Sequence, residues 1–165
     1  MSGHKINPTS FEHYKFYRLY DMDFDSALHT LKILKRYKRL DIRNALLRDI
    51  TVTYARPFFG NKGDNISNHI LSLKFIPSRQ RNLHNELMNL RKQLFAHTDL
   101  TYRNPRIANW SSGQRRWFPM SFRGYDYSSL DKRMDEIESL ISSVQDELRK
   151  KIKEIEKQLL TTRWT

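Results

Sequence analysis

The sequence predicts an all-α bundle of four to five helices, with an irregular or hairpin insertion near residues 100–127, all in one domain. Three observations carry this. Apolar residues return every three or four positions over long stretches, which is the period of an α-helix. The helix breakers gather in two places, between Pro57 and Pro77 and between Pro105 and Gly124. The 165 residues include no cysteine, so the fold must be held by one apolar core, for which this length suffices.

Each element has its own signal. Phe11 to about Tyr37 reads as a first long helix, with Tyr17, Phe24, Leu28, Leu31 and Leu34 at helical spacing. Asp41 can cap a second helix that runs to Arg56 and is stopped by Pro57. The glycines and asparagines that follow predict a loop, with a short helix at 68–74. Ser78 is the expected N-cap of a third helix ending near Asp99, with Leu83, Leu87, Leu90 and Leu94 in one stripe. In the breaker-rich insertion, Arg106–Trp110 and Arg115–Phe118 flank Ser111-Ser112-Gly113-Gln114, a pattern for a short hairpin. Residues 128–163 predict a long C-terminal helix. Its seam of Leu130, Met134, Ile137, Ile141, Val144 and Leu148 suits packing either in a bundle or against a second subunit.

Charge is unevenly placed. The chain carries 30 Lys and Arg against 18 Asp and Glu, a formal net charge of +12. Ser128–Thr165 is neutral, with eight of each sign, so the whole excess lies before it. Lys32, Lys35, Arg36, Lys38, Arg39, Arg43 and Arg48 crowd one stretch against only Asp41. A field of that sign favours polyanions, with nucleic acid the commonest, unless the face serves solubility alone. Aromatics make up 12% of the chain, too many for a disordered polypeptide. No run is long and apolar enough to span a membrane, and Met1–Lys5 opens without the apolar stretch of a secretory signal. The expected setting is cytoplasmic, without a membrane partner.

Arg91 is the residue that most needs explaining. It falls within the apolar arc of the third helix, and a buried guanidinium must be paired or face a cavity. His97 lies at the far edge of the same arc. On a regular α-helix the two would stand about 9 Å apart along the axis and roughly 120° apart around it. Two readings stand for the pair. In one, Arg91 is a buried partner of a carboxylate such as Asp49, and His97 is favoured by the C-terminal end of the helix dipole. In the other, they form a site.

The segment Leu83-His84-Asn85-Glu86-Leu87-Met88-Asn89-Leu90-Arg91-Lys92-Gln93-Leu94-Phe95-Ala96-His97-Thr98-Asp99 resembles the signature helix of the HEPN superfamily (higher eukaryotes and prokaryotes nucleotide-binding domains). There an Arg is followed after four to six residues by a His. The Leu-Phe-Ala-His-Thr-Asp ending is similar to that of many bacterial members. The resemblance firmly covers residues 78–99. It implies a small helical bundle that forms a homodimer, and a ribonuclease needing no metal or other cofactor. It also implies a role as a toxin held by an antitoxin, or in defence against phage. The two motifs would meet across the dimer to form one cleft, with Arg91 and His97 catalytic. His97 would move the proton in attack of an RNA 2′-hydroxyl on the adjacent phosphate, and Arg91 would hold that phosphate. Active members usually carry Asn, Asp or His directly after the Arg, whereas this chain has Lys92, which cannot accept a hydrogen bond. That departure supports an alternative, a catalytically silent module that binds RNA or a nucleotide and acts through a partner. A structural dimerisation protein using the C-terminal helix is the third reading.

Other residues gather around this expectation. Asp49, Thr53 and Arg56 fall on one face of the second helix, either as supports for Arg91 or as an internal ion pair of Asp49 with Arg56 or Arg91. His84 stands nearly in line with Arg91, as a cleft residue or a core histidine. Lys92 can add a phosphate contact. Arg48, with Arg115, Arg116 and Trp117 in the insertion, are the candidates for RNA binding, since bases stack on rings and phosphates pair with arginines. The alternative for Trp110 and Trp117 is packing on the bundle. No spacing of histidines with carboxylates suggests a metal site, and no glycine-rich phosphate loop is present.

Overall fold

Helix α1 spans Pro8–Leu34 and buries Phe16, Tyr20, Phe24, Ala27, Leu31 and Leu34 along one face. Tyr17 and Leu28 lie half-buried at the edge of that stripe rather than at its centre. The computed structural model describes residues 8–95 and 103–161. It is mostly helical but not purely all-α, because the insertion forms a β-ribbon. Helix α1 ends at Leu34, short of the expected Tyr37. There the Arg43 guanidinium donates to the carbonyls of Leu34 and Tyr37, at 3.1 and 2.6 Å. It thereby satisfies acceptors that a helix end leaves open.

Helix α2 spans Leu40–Ala55, and Arg39, not Asp41, holds its N-cap position. Asp41 lies in the first turn, where its charge suits the helix dipole, and pairs with Arg39. Pro57 does not stop the chain dead. The helix tightens into a 3-10 turn at Arg56–Phe58, where a missing N–H is tolerated.

The loop that follows is pinned to α1. Buried Glu12 accepts from the backbone N–H of Asp64 and, at 2.8 Å, of Asn65. Gly63 sits so close to Glu12 and Phe16 that a side chain there would collide with the carboxylate. Asn61 and His69 form an isolated bridge, and the only helical turn in this stretch is Leu73–Phe75, shorter than the expected 68–74 helix.

Ser78 opens a 3-10 turn at Ser78–Gln80 instead of capping a helix. Helix α3 follows at Arg81–Leu90 and widens into a π-helical turn at Arg91–Phe95. Leu83, Leu87, Leu90 and Leu94 are all buried, as their spacing predicts. The expected end near Asp99 lies outside the described residues.

The hairpin has strands β1 (Arg106–Ile107), β2 (Trp110–Ser112), β3 (Arg115–Trp117) and β4 (Met120–Ser121). β1 pairs with β4 and β2 with β3, both antiparallel. Ala108 donates to Pro119 at 2.9 Å between the two pairs, so they form one ribbon. At its tip Gly113 has φ +60 while Gln114 keeps an ordinary φ. This is a type II′ turn, which needs a glycine at its first central position.

The C-terminal helix is not continuous. α4 (Ser128–Asp131) and α5 (Met134–Thr161) are separated at Lys132–Arg133. The two sides of the break are held differently: Asp131 by Arg43, and Arg133 by Glu86 and Glu136. Ile137, Ile141, Val144, Leu148 and Ile152 are buried, and α5 packs along α1, which also packs on α2. Of the two destinations for this seam, the monomer's own bundle takes it. No described helix is long and apolar enough to cross a membrane.

Candidate functional site

Arg91 stands at the junction of α3 and the π turn, where its N–H is shared between the carbonyls of Leu87 and Met88. Its guanidinium carbon lies 3.8 Å from the centroid of the Phe59 ring. It is half-buried rather than buried, and its Nε is sealed from solvent with no hydrogen-bond acceptor. No carboxylate pairs with it among the described residues. Asp49, the expected buried partner, is exposed and accepts from Thr30 Oγ1 at 3.1 Å. The cation is therefore held by a ring face and has no anionic partner among the described residues.

The wider turn also changes the geometry expected of the motif. A π turn bonds i to i+5, so residues 91–95 advance less around the axis than α-helical ones. The 120° separation drawn for a regular helix does not apply here. His97 itself lies outside the described residues. Lys92 is exposed.

The remaining candidates separate. His84 is buried, with Nδ1 2.8 Å from the Tyr54 hydroxyl and its ring edge-on to Phe58 at 4.6 Å. Burial, helped by the Arg81 charge, pushes its pKa down to about 4. It is a neutral core residue. Arg56 pairs with Asp23 at 3.2 Å rather than with Asp49. Burial raises the Asp23 carboxyl even against that arginine. Thr53 is buried between the two exposed residues Asp49 and Arg56, so the predicted polar face does not form one cluster.

Three of the seven cations in the basic run are neutralised within the molecule. Lys35 pairs with Asp135 and Glu138, Arg39 with Asp41, and Arg43 with Asp131. Lys32, Arg36, Lys38 and Arg48 are exposed with no ion-pair partner among the described residues. These four, and not all seven, supply the outward field.

Arg115, Arg116 and Trp117 lie together around the hairpin tip, all exposed. Trp110 stands directly across from Trp117. They are 70% and 47% exposed, so neither packs on the bundle. At the root of the hairpin Phe95 stacks on Tyr127, 5.9 Å between centroids, and meets Tyr125 edge-on at 6.0 Å. The arm is thus anchored on the same five-residue turn that begins with Arg91.

Phe59 and this aromatic root were not legible as site residues. An Arg on a ring 32 positions away leaves no spacing signal, although the run Arg56-Pro57-Phe58-Phe59-Gly60 marks a stiff turn that presents a ring. Among the described residues no three His, Asp or Glu side chains gather as a metal site. No protein-family model, curated protein or solved structure matches this chain. The likeness to the HEPN signature therefore stands on residues 78–99 alone.

Proposed function

We propose that this protein is an endoribonuclease that cleaves RNA without a metal ion, with Arg91 and His97 as its site. The observation that carries the reading is the state of Arg91. A half-buried cation fixed on Phe59, with no carboxylate paired to it among the described residues, is ready for an anion such as a phosphate. His97 follows six residues later in the sequence, and an imidazole can both take and give a proton. In the reaction His97 takes the proton of a 2′-hydroxyl, whose oxygen attacks the adjacent phosphorus. The bond to the 5′-oxygen breaks, that oxygen takes a proton from solvent, and a 2′,3′-cyclic phosphate is left. Arg91 stabilises charge on the non-bridging oxygens. DNA lacks the 2′-hydroxyl, so it binds without being cut. Two chains related by a two-fold axis would bring both motifs to one phosphate. A toxin neutralised by an antitoxin, or a phage-defence effector, is the biological role that suits such an enzyme.

The test is incubation of total RNA with the protein in excess EDTA, beside folded Arg91→Ala and His97→Ala variants. Cleavage by the wild type alone is the expected result, and intact RNA in every lane overturns the enzyme reading. Exposed Lys92, which offers no acceptor beside Arg91, favours a second reading, a silent RNA-binding module acting through a partner. Its signature is salt-sensitive RNA binding with no cleavage.

A further inference from the structure

The strands of the hairpin stand out in solvent. Every residue from 106 through 124 is exposed, including Ile107, Trp110, Trp117, Phe118, Met120 and Phe122. A lone two-stranded ribbon is marginal in water, and soluble chains rarely display so much contiguous apolar surface. Alternation along the strands puts Arg106, Trp110, Arg115 and Trp117 on one face, and Ile107, Arg116 and Met120 on the other. A shallow cleft is lined by Trp110, Trp117, Phe118 and Pro119.

Charge selects the occupant. From Arg103 to Tyr125 the chain has five arginines and no Asp or Glu. A second copy of the arm is a poor partner, since pairing two would bring ten arginines together. The root of the arm, through Phe95, Tyr125 and Tyr127, rests on the turn that presents Arg91. Arg103 accepts from the Arg123 N–H at 2.7 Å, which brings both ends of the arm back to that root.

We propose that the 103–123 hairpin is an arm on which unpaired RNA bases stack, which makes single-stranded RNA the substrate class delivered to Arg91. This rests on the ribonuclease reading and deepens it. Tryptophan rings can stack only on bases whose faces are free, and a duplex seals them. The arginines between the rings meet the phosphates.

The test uses the full chain with a short 2′-O-methyl oligonucleotide, which cannot undergo 2′-hydroxyl attack, as a single strand and as a duplex. The single strand quenches tryptophan emission and binds at least about ten-fold tighter than the duplex. Trp110→Ala/Trp117→Ala loses about ten-fold or more in affinity with unchanged far-ultraviolet circular dichroism. Equal affinity for both forms, or an unaffected double variant, overturns the arm. So does tighter binding of a deoxy oligonucleotide, or binding to anionic lipid vesicles without binding to RNA. The two readings fail separately. If no RNA is cut yet the tryptophan variant loses single-strand affinity, the nuclease reading falls and the arm stands. If cleavage persists in the tryptophan variant at wild-type affinity, the arm falls alone.

Discussion

Acid should weaken this protein before most of its carboxylates titrate, because two histidines are buried neutral. His69 is stacked on Phe16 at 4.4 Å and bonded to the Tyr20 hydroxyl at 2.8 Å. Burial, reinforced by His13 and opposed by Glu12, lowers its pKa to about 4. His84 is lowered to about 4 as well. In the unfolded chain both return to about 6.5, so below that pH the unfolded state binds protons that the folded state refuses. Their contribution is complete above about pH 6.5 and is lost as the pH falls toward 4. A gap of about 2.5 units corresponds to about 3 kcal/mol per histidine at full development. At about pH 5 the linkage relation gives roughly 2 kcal/mol each, or about 4 together. That is a large share of an ordinary domain stability of about 5–15 kcal/mol. Urea unfolding at about pH 7.5 and about pH 5 measures the difference, in a window where ordinary carboxylates stay mostly ionised. His84→Gln should be less stable at neutral pH but show about half the wild-type pH dependence. A wild-type change under about 1 kcal/mol, or an unaltered slope in His84→Gln, would refute the reasoning.

Three further outcomes follow from the contacts of single residues. Arg43→Ala removes a guanidinium that ties α1, α2 and α4 through Leu34, Tyr37 and Asp131, and should cost about 2–4 kcal/mol in urea unfolding. Arg149→Ala, whose pairs with Asp21 and Asp25 lie at the surface, should cost no more than about 1 kcal/mol in the same assay. Gly63→Ala should drive a methyl against the Glu12 carboxylate and lower stability by about 1–3 kcal/mol, seen as a reduced midpoint with an unchanged helical spectrum.

Periodicity determined the helices and their inward faces. Leu83, Leu87, Leu90 and Leu94 are buried because a four-three-four spacing puts them on one side of any helix, whatever packs there. The hairpin was equally local, since Gly113 alone permits its turn. What sequence could not determine was partnership. Asp49 bonds Thr30, and Arg56 bonds Asp23, because these pairings depend on how α1 crosses α2, and crossing is a property of the whole core. The same holds for the C-terminal seam, whose spacing suits a neighbouring subunit as well as α1. Only the tertiary structure assigns it to α1 and leaves Trp110 and Trp117 in solvent. Arg91 shows both sides. The sequence marked it as a cation out of place on an apolar arc. The fold then set it on Phe59, because a ring 32 residues away reaches it only when the 56–60 turn and the end of α3 meet.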